Sequence, residues 1–526
     1  MADQPYFYVT TPIYYVNDVP HIGHAYTTVA ADVMARWHRL RGDRVFFLTG
    51  TDEHGQKVAR TAEERGVTPQ EWCDTVVPRF EEMNALLDIS NDDFIRTTSP
   101  RHTAGVVKIL ETLRDRGALY LDDYEGLYCV ACEAYYTPAE LVDADGTAGA
   151  GEHCPIHKRP VEHLRERNWF FRLSEYQERL LDHIAANPDF VRPEARRNEV
   201  VGFVRGGLAD VSFSRSTITW GVPIPWDPDQ VAYVWPDALT NYMTAVGYGT
   251  DDARFARDWP ATVHIVGKDI LRFHAVIWPA MLMAAGLPPP RTVFAHGWLL
   301  VGGEKMSKTR ANQIHPAELV DTFGVDCYRY YFLRDVSFGP DGSFSWEAIL
   351  DRYNGDLAND LGNLASRVLN MVERYAEAAA PGVPPVGHDP AVDALIAAVE
   401  QAGADYGRLV EDFDFDDALT ALWGAVRAAN RLIEDTEPWH LAKSADPDDR
   451  SRLDAVLGAG LETLRVVAVL LSPVMPGACV RLWDKLGLAG SPADGPLDAA
   501  VAWGGFPEGT TVTKGDALFP RMEAPG

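Results

Sequence analysis

The chain has 526 residues, of which 46% are apolar and 24% charged, a balance that fits several globular domains and excludes a disordered or collagenous chain. No apolar run approaches the roughly 20 residues that span a bilayer, and Met1-Ala-Asp-Gln-Pro5 lacks a basic stretch leading into an apolar one, so no membrane partner and a cytoplasmic setting are expected. The formal net charge of −28 excludes indiscriminate binding to DNA or RNA, because phosphate affinity comes from Lys and Arg displacing counterions; any nucleic-acid contact must use a local basic face.

Tyr6-Phe-Tyr-Val-Thr10 reads as a strand that stops before Pro12. His21-Ile-Gly-His24 follows at the turn into a helix, where free N–H groups and the helix dipole favour an anion; a pair of metal ligands is the bland alternative. From Ile22 to Leu40 the residues Ala25, Val29, Val33, Trp37 and Leu40 recur at helical spacing, and Val45-Phe-Phe-Leu-Thr49 is a second buried strand. Strand, helix, strand is the unit of a doubly wound parallel sheet, whose ligands bind at the carboxyl ends of the strands; Thr10 to His24 and Gly50 to Gly55 lie there. Val263–Gly267 and Thr292–His296 read as later strands of the same sheet.

Between these halves, 118–225 is turn-rich and reads as an inserted domain. Cys129-Val-Ala-Cys132 and Cys154-Pro-Ile-His157, with 21 residues between the pairs, have the spacing of one structural, tetrahedral Zn²⁺; His153 is a substitute ligand, and unmetallated thiols are the alternative. Cys73, Cys327 and Cys479 are isolated and read as buried thiols, in keeping with a reducing compartment. Lys305-Met-Ser-Lys-Thr309 follows Gly302-Gly-Glu304, a loop able to close two ammonium groups over a triphosphate; otherwise it is a solvated basic loop. After about Tyr353 the chain turns into Ala- and Leu-rich helices, interrupted at 381–385, and the tail from Gly504 is expected on the surface.

Together the two basic segments resemble the HIGH and KMSKS signatures of class I aminoacyl-tRNA synthetases. Tyr15–His24, Gly50–Gly55, Trp220–Trp226 and Gly267–Ile270 are similar to blocks of the methionyl family over nearly the whole chain. Departures are Thr309 in place of Ser, Ala311 in place of Gly, and Pro236. The resemblance implies an α/β, Rossmann-like catalytic domain (1–117 and 226–290) split by a zinc-knuckle insertion (118–225), then a stem-contact region (291–352) and an α-helical anticodon domain with tail (353–526).

It implies ATP-dependent activation of L-methionine and its transfer to initiator and elongator tRNA(Met), with Mg²⁺ accompanying ATP. His21 and His24 would meet the α- and β-phosphates as cationic donors, and Lys305 and Lys308 the pyrophosphate; Gly23, Ser307 and Thr309 complete the ATP site. The methionine pocket maps onto Ile13, Tyr15, Trp235, Ala238, Leu239, Tyr242, Ile270, His274 and Trp278, with Asp52 on the ammonium and weak hydrogen bonds to sulfur from Tyr15 and His274. Editing of homocysteine comes with the resemblance. Asn363, Arg367 and Trp439 would read the anticodon; Arg427, Asn430 and Arg431 form a face that could meet phosphate, and the acidic run Glu411–Asp417 would face away from RNA. The chain ends soon after its helical region, with no appended dimerising module, so a monomer is expected. The competing readings are another class I synthetase, such as a cysteinyl or leucyl enzyme, and an RNA-binding protein that keeps the fold without catalysis.

Overall fold

The computed structural model describes residues 4–129, 134–136, 138–144, 151–156, 158–301, 304–305 and 314–523. Among these, seven strands form one parallel sheet: β1 (Tyr6–Thr10), β2 (Tyr14–Tyr15), β3 (Arg44–Asp52), β4 (Asp93–Arg96), β5 (Val191–Arg192), β6 (Val263–Gly267) and β7 (Thr292–His296). Their order is β2–β3–β1–β6–β7–β5, with β4 also paired to β3. The chain leaves β1 toward β3 on one side and later returns to its other side with β6, so the winding reverses between β1 and β6. A reversal of this kind opens a crevice at the carboxyl ends of the strands.

Alternate side chains of these strands enter opposite layers. Phe7, Val9, Phe47, Val263 and Ile265 join a core that includes helix α1 (Ile22–Leu40), whereas Tyr8, Leu48 and Val266 join another with Leu239, Trp278 and Met281. Cover on both faces is why the strands read as continuous apolar runs. β3 extends past Thr49 to Asp52 because its polar end pairs with β2 and β4. Gly50 is required there: a Cβ would lie 2.0 Å from the Ile95 carbonyl oxygen.

The insertion holds an antiparallel sheet in which Leu119–Cys129 lies between Ala134–Tyr136 and Glu162–Phe171, with Val211–Ser212 beyond. The range 118–225 is not one separate unit, however. Within it β5 returns to the main sheet beside β7, and Leu180, Ile184, Val200 and Val204 of the flanking helices enter the second core. A two-residue strand has no periodicity by which a sequence could announce it.

Helices Asn363–Tyr375, Pro390–Glu411, Phe415–Thr436 and Pro447–Leu471 share the first core with α1, so bundle and sheet form one apolar interior. The tail is not a surface wrap: Phe506, Val512, Leu518 and Phe519 are buried in that interior, and Thr511 pairs with Ala379. The acidic run is the seam between the layers. Trp37 Nε1 donates to Glu411 Oε1 at 2.8 Å, Arg41 pairs with the same carboxylate, and Arg192 meets Asp412 at 3.2 Å.

Candidate active site

The end of β1 and the start of α1 build the first half of the site. His21 is the N-cap of α1: its Nδ1 accepts the Gly23 N–H at 3.0 Å, and His24 Nδ1 accepts the His21 N–H at 3.1 Å. Both Nδ1 atoms are acceptors, which puts each ring proton on Nε2 and makes that nitrogen the donor. The rings stack at 3.8 Å, and His24 packs edge-on to Tyr14 and Phe80. This enclosure, with neighbouring His21, holds the His24 pKa well below the ordinary value. The expectation of a cationic His24 is therefore corrected: near neutrality it is an uncharged N–H donor, because burial penalises the imidazolium.

The second half hangs from β7. After Gly297 the chain forms strand Leu299–Val301, which pairs antiparallel with Glu304–Lys305 and parallel with Gly342–Phe344. Lys305 thus lies on a hairpin that leaves the carboxyl end of the sheet. Lys308, Ser307, Thr309 and Ala311 lie outside the described residues. Thr27 and Tyr26 of α1 join the halves through His296: Thr27 meets its Nε2 at 2.8 Å across 269 residues, Tyr26 packs edge-on to its ring at 5.4 Å, and His296 Nδ1 donates to the Gly297 carbonyl at 2.8 Å. Sequence reasoning missed His296; its position at a strand's carboxyl end was the available signal.

The predicted methionine residues form two layers. Tyr242, His274 and Trp278 are enclosed, whereas Ile13, Tyr15, Trp235 and Ile270 keep open surface. Ala238 and Leu239 share the short helix Val234–Leu239 with Trp235. Tyr15 lies opposite Asp52 in the β2–β3 register, so the pocket wall and the proposed ammonium partner adjoin. His274 sits in a π-type turn, Phe273–Ile277, a geometry frequent at functional sites. Its Nδ1 donates to the Ile270 carbonyl at 3.0 Å and its Nε2 accepts from the Tyr242 hydroxyl at 2.8 Å. Burial lowers its pKa to about 4.

With both ring nitrogens engaged and the Tyr15 hydroxyl donating to the His54 carbonyl at 2.9 Å, hydrogen bonds from His274 and Tyr15 to a thioether are not what the geometry offers. It offers an aromatic and aliphatic wall, in which Phe273, missed from the sequence, stacks on Trp235 at 3.5 Å. His264, also missed, lies under Tyr242 at 4.1 Å and accepts from Trp278 Nε1 at 3.3 Å. Pro236 costs no hydrogen bond, since it occupies the first turn of its helix, where N–H groups have no intrahelical partner.

A family model described as tRNA synthetases class I (M) matches residues 7–369, and one described as the anticodon binding domain of methionyl tRNA ligase matches 383–525. A methionine–tRNA ligase of Streptomyces coelicolor is 54% identical over 98% of this chain and 97% of its own length; one of Caldanaerobacter subterraneus is 47% identical over 98% and 79%. Mycobacterium tuberculosis methionyl-tRNA synthetase in complex with methionyl-adenylate superimposes with a TM-score of 0.93 at 42% identity, covering 98% of this chain and 100% of that one. Its apo form gives 0.85 at 40% identity, covering 99% of each chain.

The chain belongs to the class I methionyl-tRNA synthetase family.

The match to the anticodon binding domain, 383–525, includes Trp439, whereas the other two predicted contacts, Asn363 and Arg367, precede it, one turn apart on helix Asn363–Tyr375. Asn363 is exposed and Arg367 half-buried, with Arg367 Nη1 3.5 Å from Glu434 Oε1. Glu434 is near the end of helix Phe415–Thr436; Glu437 then takes a left-handed turn (φ 44°) into Pro438 and half-buried Trp439. Asn430 is not part of a phosphate-facing surface. Its Nδ2 donates to the Asp360 carbonyl at 3.2 Å, bracing the π-type segment Tyr353–Gly362 that leads into Asn363.

The metal-type cysteines are described only in part. Cys129 and Cys154 are buried, and the Ile156 N–H points at the Cys154 sulfur at 3.4 Å, a donor suited to a thiolate. Cys132 and His157 lie outside the described residues, and among those described no three ligating side chains gather. Cys73, Cys327 and Cys479 are buried.

Proposed function

We propose that this synthetase carries out adenylation in the crevice between β1, β6 and the β7 hairpin, with the residues named below. The reaction itself, ATP-dependent joining of methionine to its tRNA, comes with the family. Asp52 holds the substrate ammonium, and Ile13, Tyr15, Trp235 and Ile270 enclose the thioether against an inner wall of Ala238, Leu239, Tyr242, His274 and Trp278. The methionine carboxylate attacks the α-phosphorus in line and pyrophosphate departs. His21 and His24 donate Nε2–H to the phosphates beside Gly23, and Lys305 and Lys308, with Ser307 and Thr309, receive the pyrophosphate charge that Mg²⁺ shares. A ribose hydroxyl of the terminal adenosine, the 2′-OH in this class, then attacks the adenylate carbonyl and AMP leaves.

The supporting observation is the Thr27–His296 hydrogen bond, which joins helix α1, begun by His21–His24, to the end of β7, from which the hairpin bearing Lys305 departs. The test is ATP–pyrophosphate exchange dependent on methionine, with cysteine and leucine as controls. Lys305→Ala should lower exchange by about 10²–10³-fold while tRNA binding persists, since the lost group acts on charge that develops in the transition state; unchanged exchange would sink the assignment.

Asn363, Arg367 and Trp439 are proposed to read the anticodon, Trp439 by stacking. Cys129, Cys132, Cys154 and His157 would hold one structural Zn²⁺: three thiolates and an imidazole suit its tetrahedral preference, and the metal would brace a small insertion. Metal analysis giving one zinc per chain, lost in Cys154→Ala, checks this. A cytoplasmic monomer completes the proposal; among the described residues no helix is long and apolar enough to cross a membrane. Light scattering showing a stable dimer would overturn the monomer.

A further inference from the structure

A buried carboxylate–imidazole cluster joins the end of β3 to the helix that carries Trp235, and no step above uses it. Asp237 and His102 have no exposed surface and His54 is 7% exposed. Each Asp237 oxygen accepts from a different imidazole, Oδ2 from His54 Nδ1 at 2.6 Å and Oδ1 from His102 Nε2 at 2.8 Å. His102 comes from helix Pro100–Asp115, and its other ring nitrogen lies 3.1 Å from the Thr244 hydroxyl. On the pocket side, the His54 carbonyl is the acceptor for the Tyr15 hydroxyl. The His54 ring is edge-on to Trp220 at 5.4 Å, and Trp220 Nε1 donates to the Glu53 carbonyl at 2.6 Å. Glu53 is itself held by a two-pronged Arg96 contact at 2.8 Å.

Three elements therefore converge on one carboxylate: the β3 turn that follows Asp52, the helix holding Trp235 and Ala238, and a helix from the second layer. Burial alone would push His54 down, but the charge and hydrogen bond of Asp237, with Glu53, raise its pKa; against burial, the two histidines lower Asp237 to about 2. Short charge-assisted bonds of this type fix atoms more tightly than neutral ones.

We propose that Asp237 is a positioning residue of the amino-acid pocket: by clamping His54 it fixes the carbonyl that receives Tyr15, and so sets the wall opposite Trp235. This rests on the assignment of Tyr15 and Trp235 to the methionine pocket. Tyr15 touches substrate before and during reaction, so its misplacement weakens ground state and transition state alike and raises KM while sparing kcat.

The experiment is methionine-dependent pyrophosphate exchange with the full chain. In Asp237→Asn the KM for methionine should rise about tenfold, with kcat and the KM for ATP within about twofold, the scale of one charge-assisted hydrogen bond. His102→Gln, whose side chain is remote from substrate, should shift the methionine KM the same way by less, and the double variant should match Asp237→Asn alone. In a Tyr15→Phe background Asp237→Asn should add nothing. Equal losses in kcat and both KM values, or an unchanged effect in that background, would overturn the proposal; if Asp237→Asn does not fold, His102→Gln decides. Trp235→Ala separates the two readings. If it raises the methionine KM while Asp237→Asn and His102→Gln do not, only the positioning role falls; if it too leaves KM unchanged, the pocket assignment falls and the positioning role with it.

Discussion

Arg329 and Asp32 form an ion pair, 2.6 Å long and with both side chains wholly buried, that fastens the signature helix to helix Val325–Arg334. Arg329 also donates to the carbonyls of Leu87, Pro473 and Val474, and Asp32 accepts from Arg36 and Ser90. Burial would raise the Asp32 pKa, yet Arg329, Arg36 and Ser90 together lower it below the usual carboxylate value.

Removing one partner strands a buried charge, so Arg329→Met should destabilise the chain by about 3–5 kcal/mol, read as an earlier urea transition. The sign with pH follows from Asp32: a carboxyl whose folded pKa is lowered stabilises above its unfolded pKa, and that stability is lost as pH falls through the folded value. The wild-type urea midpoint should therefore fall on acidification below the ordinary carboxylate pKa more steeply than that of Arg329→Met. Parallel profiles would contradict the pairing.

His24→Ala should reduce kcat of adenylate formation by about 10²–10³-fold with little change in the KM for methionine, because the lost Nε2–H serves developing phosphate charge. The lowered His24 pKa further predicts no acid limb near pH 6.5. An acid limb there that disappears in His24→Ala would show that the folded pKa is not lowered, and activity lost instead as pH rises through that range would make the imidazolium the working form.

Tyr242→Phe leaves His274 Nε2 buried without its donor, at a cost of about 1–3 kcal/mol that thermal unfolding should register. His274 has a lowered folded pKa of about 4, so the unfolded chain takes up the proton first and stability declines as pH falls from the ordinary imidazole pKa toward 4, then levels. His274→Gln should flatten that decline; an equally steep decline would show that the imidazole is charged in the folded chain.

Trp439→Ala should weaken aminoacylation, measured as kcat/KM for tRNA, by about ten- to a hundredfold if the indole stacks on a base, with pyrophosphate exchange intact. Loss of exchange as well would instead make Trp439 a packing residue of the bundle.

Much of this was legible in the chain itself. β1, α1, β6 and β7 have the bounds that their apolar patterns give, because the 2.0 and 3.6 residue periods are local properties. The signatures at His21–His24 and Lys305–Thr309 and the resemblance they carry are local as well, and the family assignment built on them stands with the comparisons.

Charge state, partner choice and layer membership are not local, and only the tertiary structure decided them. His24 and His274 are neutral because distant side chains bury them; His54 is raised because Asp237, 183 residues away, faces it. The acidic run at Glu411 became an interdomain seam because Trp37 and Arg41 meet it, and the tail became core because Phe506 and Phe519 found room in the bundle. The sequence alone determined which groups the protein owns and the periods on which they recur. The solvent and charge around each group exist only once remote segments pack together, and those surroundings set which groups ionise and which bonds they can still make.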